Sequence, residues 1–434
     1  MRVKMAYGKQ GLWVELPGRN VTIVEPRAIP GLPDEEAALR QALRSPLGTP
    51  PLRDLVTPGD TVAIIFSDIT RPQPRERMLL ALLKEIAAVP REQIVLLNAL
   101  GTHRPNTEEE LVRMLGAEIA ANYRVVQHDA WDETHLVSLG ETSFGHEVTI
   151  NGEYMRASVR ILTGFIEPHF FAGYSGGPKS VLPGIAGQST VLGNHDARMI
   201  GHPNAAWGVM AGNPIWEEMR EAALRTLPAF LLNVSLNREK EITGVFAGEM
   251  MRAHAAGAEF VASTALAPVS EPFDIVITSN SGYPLDLNLY QAVKGMSAAA
   301  RVVKPGGSII AVAECWDGLP EHGEYGRLLQ MASDPQELLT MIQSLNPVRQ
   351  DQWQVQIQTQ VLLKADVYIK SSYLDAETVR RALLKPCTSV EETLAALLER
   401  YGPDATVCVL PEGPTTIPYL PDPHRRVPPV RAAL

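Results

Sequence analysis

The sequence predicts an α/β protein of two domains, each with a mostly parallel sheet flanked by helices, and an active site in the interdomain crevice. Three observations predict this. Short apolar runs alternate with segments of helical spacing along most of the chain. The alternation breaks in the Pro-, Ser- and Ala-rich stretch STALAPVSEPFD, from Ser263 to Asp274, and then restarts. At 434 residues the chain is also too long for one ordinary domain. The domains are therefore expected at 1–265 and 270–434.

The elements follow in order. LWVEL and VTIVE, joined by the turn-rich PGRN, read as short opening strands. TVAIIF is an apolar run, RERMLLALLKEIAAV has helical spacing, and QIVLLNAL is a second apolar run. TEEELVRMLGAEIAANY reads as a helix, with Thr107 as N-cap and acidic residues in the first turn. ASVRILTGFI is a third run. Beyond the junction come FDIVITSN, the helix LNLYQAVKGMSAAARVV, and GGSIIAVAEC, then the runs ADVYIKSS and ATVCVLPEG. The closing PDPHRRVPPVRAAL reads as a surface tail.

Composition narrows the function classes. A hydrophobic content of 45% with 20% charged residues fits a globular protein with sizeable cores. With a formal net charge of −10 and no basic stripe or zinc-finger spacing, nucleic acid is not an expected partner. Three scattered cysteines without a C-x-x-C pair point to a reducing compartment. No run of about eighteen apolar residues and no signal-peptide core is present, so a cytoplasmic enzyme is expected, with no membrane partner.

GYSGGPKS, from Gly173 to Ser180, nearly spells a P-loop, but Pro178 stands where the second glycine belongs. Proline removes a backbone N–H at the tightest point of a phosphate cradle. The loop must present Lys179 for another purpose. Polar clusters follow three apolar runs: SDITRP with Asp68 and Arg71, GTHRP with His103, and EPHFFAGYSGGPKS with His169 and Lys179. In open parallel sheets ligands bind outside the carboxyl ends of strands. If the three runs are parallel neighbours, these side chains converge on one crevice. Taken singly, Asp68 reads better as a turn residue, a lone histidine is more often structural than catalytic, and Lys179 would most often be solvated; the recurrence at three strand ends carries the functional reading. Two histidines across a small cavity would suit reversible proton transfer near neutral pH. His195, in GNH, has no second histidine one helical turn away and alone makes a poor metal site. Beyond the junction, Tyr290, Gln291 and Lys294 share a helix face, which could be a solvated face or a ligand-facing one.

Together SDITRP, GTHRP, EPHFFAGYSGGPKSVLPGIAG, GNH and the QAVKG helix resemble, in order, the motifs of the nickel-pincer lactate racemase family. The resemblance implies a racemase or epimerase acting at C2 of a small 2-hydroxy acid, lactate or a larger relative. It implies nickel and pyridinium-3-thioamide-5-thiocarboxylic acid mononucleotide as cofactor, supplied by cofactor-biosynthesis enzymes upstream. Lys179 would carry the thioamide tether, with Gly176 and Gly177 at the cofactor, and His195 would complete a planar nickel site whose other donors come from the cofactor. His103 and His169 would be the acid–base pair for reversible hydride transfer. Arg71 and Lys294 would hold the carboxylate, Asp68 would orient Arg71 or His103, Gln291 and Tyr290 would contact the substrate, and Trp353 would wall the pocket unless it is simply core. The first domain would carry cofactor and catalytic residues, and the second would close over the substrate. A lysine Schiff-base enzyme using Lys179 and a non-catalytic carrier of the nickel cofactor are the alternatives.

Overall fold

The structure, a computed structural model, describes residues 1–320 and 323–421. From Asp422 onward the stretch read as a surface tail lies outside the described residues. The chain is α/β and divides into two compact units. One runs over 28–195 and 203–263. The other gathers Met1–Arg27, Asp196–His202 and the chain from Thr264 onward.

The first unit is built on a six-stranded sheet in the order Ile242–Gly248, Phe230–Leu236, Val159–Phe165, Val62–Ser67, Ile94–Ala99, Arg124–Gln127. All neighbours are parallel except the first pair. The central strands read as continuous apolar runs because helices cover both faces, as parallel sheets require. Ile64, Phe66, Leu96, Ile161 and Leu232 are buried in one cluster with Met78, Leu79, Leu82 and Ile86 from the helix Arg75–Glu85 and its C-cap. The helix expected after Thr107 forms with a full capping box between Thr107 and Glu110. It then breaks at Gly116 (φ +80°) into Glu108–Leu115 and Ala117–Asn122. Phe230–Leu236 and Ile242–Gly248 were not foreseen; they form a hairpin whose second strand is the one antiparallel member.

The second unit holds an all-parallel sheet in the order Lys385–Pro386, Asp366–Lys370, Val303–Val312, Phe273–Ser279, Val407–Leu410, Val21–Ile23. The opening residues depart from the expected domain boundary. Leu12–Glu15 pairs antiparallel with Arg2–Met5. Val21–Ile23 instead extends the second sheet beside Val407–Leu410. The unit expected at 1–265 therefore loses its first 27 residues to the other. The cause is burial: Met5, Val14 and Leu16 share an apolar cluster with Ile275, Ile310, Val407 and Val409. The stretch taken as a junction is also partly ordered, since Leu266–Pro268 pairs with Ile417–Tyr419.

No helix among the described residues is long and apolar enough to cross a membrane. Ile64 is fully buried at the centre of the first sheet. Ile64→Ala is expected to cost about 2–5 kcal/mol, read as a lower urea midpoint in circular dichroism.

Candidate active site

Strand order places the polar loops. From Val62–Ser67 the chain moves outward to Ile94–Ala99 and Arg124–Gln127, then returns to the opposite side of Val62–Ser67 with Val159–Phe165 and Phe230–Leu236. The reversal falls between Val62–Ser67 and Val159–Phe165, a topological switch point where loops diverge and leave a crevice. The three runs are thus adjacent and parallel, and SDITRP, GTHRP and EPHFF leave from their carboxyl ends.

The first loop is anchored from below. Gln73 accepts from the Ser67 backbone N–H at 2.8 Å and donates to Thr163 Oγ1 at 2.7 Å. Thr163 in turn donates to the Ile65 carbonyl. The buried Arg75 guanidinium donates to the carbonyls of Ser67 (2.6 Å), Gln73 (3.1 Å), Arg71 (2.7 Å) and Asp68. Burial draws its pKa down to about 10, and the Asp68 carboxylate opposes that shift. This clamp fixes the turn so that buried Asp68 meets His103 Nδ1 from the neighbouring loop. Thr70 donates to the other Asp68 oxygen at 2.8 Å. Burial alone would raise the Asp68 pKa. The bond and charge of His103, then Arg71 and Thr70, outweigh it and hold the carboxyl below its usual range. His103 itself is half-exposed.

The third loop carries Lys179 and His169. Phe165 leads into a small hairpin that pairs Pro168–His169 with Gly173–Tyr174, and then into a single 3₁₀ turn, Gly177–Ser180. Gly176 (φ +76°) and Gly177 (φ +51°) adopt backbone conformations that side chains disfavour. A Cβ on Gly176 would lie 2.5 Å from Asn233 Oδ1, and one on Gly177 would lie 2.6 Å from the His254 ring. Those two buried side chains hold the loop. Asn233 accepts from Gly177 N–H at 2.8 Å, and His254 Nε2 donates to the Ser175 carbonyl at 2.9 Å. The Lys179 amine thereby comes to 2.7 Å from His169 Nε2. His169 Nδ1 accepts from Ala172 N–H at 3.3 Å, and its ring packs edge-on against Phe171 at 4.5 Å.

His195 ends the helix Gln188–Asn194. Its Nδ1 donates to the Val191 carbonyl at 3.0 Å, so Nε2 holds the lone pair. Burial first, and a protonated Lys179 second, pull its pKa down to about 3. A buried imidazole kept neutral, with a carbonyl fixing its tautomer, is the form a histidine needs to ligate a metal. Its neighbour Asn194 is pinned by buried Glu218, which also accepts from Thr142 and His146. Among the described residues no cluster of three or more His, Cys, Asp or Glu is arranged to hold a metal. The oriented, neutral imidazole of His195 fits one donor position of a metal whose other donors belong to a bound group, and the Lys179 side chain fits a tether to such a group.

Tyr290, Gln291, Lys294 and Trp353 belong to the second unit. The helix Leu289–Ala300 starts after the carboxyl end of Phe273–Ser279, with Asn288 capping Gln291 N–H at 3.1 Å. Gly295 lets this helix press on the strand end: a Cβ there would lie 2.2 Å from the Ser279 carbonyl. Tyr290, Gln291 and Lys294 are half-buried on one face. Trp353 is buried; its indole N–H donates to the Tyr290 hydroxyl at 3.1 Å, and Gln354 donates to the Tyr290 carbonyl.

Known proteins match this arrangement. The family descriptions "Lactate racemase N-terminal domain" and "Lactate racemase C-terminal domain" match residues 7–208 and 269–417. The chain belongs to the lactate racemase family. Members of this family are isomerases. The lactate racemase of Lactiplantibacillus plantarum is 38% identical over 384 residues, covering 87% of this chain and 90% of that one. The lactate racemase of Thermoanaerobacterium thermosaccharolyticum is 37% identical over 421 residues, covering 96% and 98%. The solved lactate racemase apoprotein from that organism superposes with a TM-score of 0.90 at 35% identity, covering 96% of this chain and 100% of that one. A Thermotoga maritima protein, 18% identical with a TM-score of 0.66 over 90% of this chain and 99% of that one, shares the fold alone.

Gln73, Arg75, Asn233 and His254 escaped the sequence reading. Asn233 left a signal, a polar residue within the apolar run FLLNVSL. Arg75 and His254 sit in helices whose pattern says nothing of their partners.

His254 and His195 set a pH dependence. Burial lowers the His254 pKa to about 4 and the His195 pKa to about 3, against an ordinary 6.5. Below pH 6.5 the unfolded chain binds protons that the native state refuses. Their contribution to stability is full above that pH and is lost as pH falls toward 4 for His254 and toward 3 for His195. The slope is about 1.4 kcal/mol per pH unit for each group. In urea titrations across this range, His254→Gln is expected to remove roughly half of the two-histidine slope while keeping the bond to Ser175.

Proposed function

We infer that the protein interconverts the configurations at C2 of a small 2-hydroxy acid, lactate or a larger relative, with a lysine-tethered nickel pincer nucleotide and His103 and His169 as acid and base. The carrying observation is that two imidazoles lie on loops leaving the carboxyl ends of strands on either side of Val62–Ser67, each with its Nδ1 engaged. His103 Nδ1 donates to the Asp68 carboxylate, which leaves the lone pair of the neutral ring on Nε2. His169 Nδ1 accepts from Ala172 N–H, which leaves the ring hydrogen on Nε2. One such pair takes a proton from a hydroxyl and returns one to the same oxygen after the carbon has inverted.

When bound, the nickel nucleotide supplies a reversible acceptor of hydride. The chain's residues do the rest. Arg71 and Lys294 hold the carboxylate, Arg71 by two parallel bonds. Gln291 and Tyr290 fix the substrate, with Tyr290 kept in place by Trp353 and Gln354. With that group bound, His103 Nε2 would take the hydroxyl proton while C2 is oxidised to the planar 2-oxo level, and His169 would return a proton to the same oxygen once C2 is reduced on its other face. The opposite enantiomer runs the same steps with the histidines exchanged. Lys179 would tether the nucleotide beside Gly176 and Gly177, and His195 Nε2 would be the chain's donor to nickel. The first unit is thus assigned the cofactor and the proton transfers, and the second is assigned substrate binding. The same reading expects a cytoplasmic protein downstream of the enzymes that make the cofactor.

The test is enantiomer interconversion, followed by polarimetry, after co-expression with the cofactor-making enzymes. His103→Ala and His169→Ala are each expected to lower kcat by about 10²–10⁴-fold while His195-bound nickel is retained. A carrier protein would lose nothing in these variants, and full activity in His103→Ala would overturn the reading. Lys294→Ala is expected to raise KM by about tenfold or more, measured with each enantiomer.

A further inference from the structure

The residue before His195 is held by both hydrogens of its amide. Asn194 is fully buried. One hydrogen goes to Glu218 Oε2 at 2.9 Å and the other to the Ile215 carbonyl at 3.1 Å. Turned over, the amide would set its oxygen against two acceptors. Ile215 and Glu218 lie in the first two turns of the helix Pro214–Arg225. The second oxygen of Glu218 accepts from Thr142 Oγ1 at 2.6 Å and from His146 Nδ1 at 2.9 Å. Those two residues lie in the turn between the paired strands Leu136–Glu141 and Glu147–Asn151. One carboxylate, 1% exposed, thus joins three segments of the chain beside His195.

Gly193 completes the arrangement. A Cβ there would lie 2.7 Å from His146 Cγ and 3.0 Å from Cδ2. Glycine is needed for this close approach to the ring. Each residue of GNH then has a reading: the glycine lets the helix end lie on His146, the asparagine ties it to Glu218, and the histidine follows. Many buried carboxylates serve the fold alone, but the place of this one gives it a further effect. His195 Nδ1 bonds the Val191 carbonyl, one turn back in the helix Gln188–Asn194. The direction of Nε2 therefore follows the last turn of that helix. Seven residues are too few to hold that turn by themselves; Gly193 and Asn194 fix it from outside.

We propose that Glu218 is a positioning residue for the metal donor: through Asn194 it fixes the turn that aims His195 Nε2. This rests on the reading above, in which His195 donates to nickel. The oxygens of Glu218 are engaged by Asn194, Thr142 and His146, so it acts through the turn and exchanges no proton with the substrate. Removing either Glu218 or the Asn194 amide frees the last turn, and the imidazole swings away from the metal while Lys179 keeps its tether.

The test reads the donor directly. Holoenzyme made with the cofactor-making enzymes is measured by nickel K-edge X-ray absorption, in which a coordinated imidazole gives its own outer-shell scattering. The wild type is expected to show this scattering and His195→Ala to lack it. Glu218→Ala and Asn194→Leu should lose most of it, while intact mass shows the adduct still on Lys179. Glu218→Gln should retain it, because its amide oxygen can still accept from Asn194. In the first two variants kcat is expected to fall about 10–100-fold at an unchanged KM. Ile64→Ala weakens the core of the same unit without touching this network, and should keep the full signal. Full imidazole scattering in Glu218→Ala and Asn194→Leu overturns the proposal and leaves His195 as donor. An equal loss in Ile64→Ala also overturns it, since the effect then follows stability and not direction. Undiminished scattering in His195→Ala overturns the reading beneath it as well. If Glu218→Ala does not fold, Asn194→Leu against Glu218→Gln decides: equal signals in those two overturn the proposal.

Discussion

The reversal of strand order beside Val62–Ser67 is the constraint on which the placement of the first unit's polar loops depends. A parallel sheet sends every strand's carboxyl end to one edge, but loops from neighbouring strands usually leave in the same direction and crowd together. Only where the chain changes sides do they part. Here the change falls between Val62–Ser67 and Val159–Phe165. Asp68 comes from one side of that gap, His169 and Lys179 from the other, and His103 from the adjacent strand. A one-residue shift in any pairing would turn these strands' side chains to the opposite faces. The apolar burial of Ile64, Phe66, Leu96 and Ile161 therefore also sets where the polar residues emerge.

Loops alone would not hold a proton-transfer geometry. Two of the three loops are fixed by buried polar groups whose partners are backbone atoms: Arg75 for the first, Asn233 and His254 for the third. A buried guanidinium on four carbonyls is costly to desolvate, and its lowered pKa records that cost. The return is a turn that cannot relax without leaving a charge unpaired. The carboxylate on His103 and the backbone amide on His169 act at Nδ1, so each ring is oriented from that side, and His169 Nε2 meets the Lys179 amine.

Much of this was legible in the sequence. Alternating runs announced the parallel sheets, and polar residues placed just past apolar runs announced the crevice, because strand ends are where a parallel sheet can host a ligand. Pro178 ruled out a phosphate cradle. What stayed hidden was pairing over long separations. Val21–Ile23 joins a strand nearly four hundred residues away, and a three-residue strand carries no periodicity to reveal its partner. The strand Arg2–Met5 escaped the sequence reading, and the buried faces of Met5 and Val14 select it as the partner of Leu12–Glu15. Arg75 reads as one more charged residue at the start of an amphipathic helix; only the turn folded back over it shows why it is buried.

The division of labour in the proposed reaction follows from acidity. The C2–H of a hydroxy acid beside an ionised carboxylate is a very weak acid, and an imidazole is a modest base. Two histidines could not form that carbanion at a useful rate, but each is well matched to a hydroxyl proton that leaves together with hydride. Protons then belong to His103 and His169, and the electron pair belongs to the group tethered at Lys179. His195 supports this partition by remaining neutral: a protonated imidazole would repel a metal cation, and burial with a carbonyl on Nδ1 prevents that protonation. In the first unit the three imidazoles are fixed at Nδ1 by three different partners, a carboxylate at His103, a backbone amide at His169 and a backbone carbonyl at His195, and in the proposed reaction each leaves Nε2 as the reacting atom.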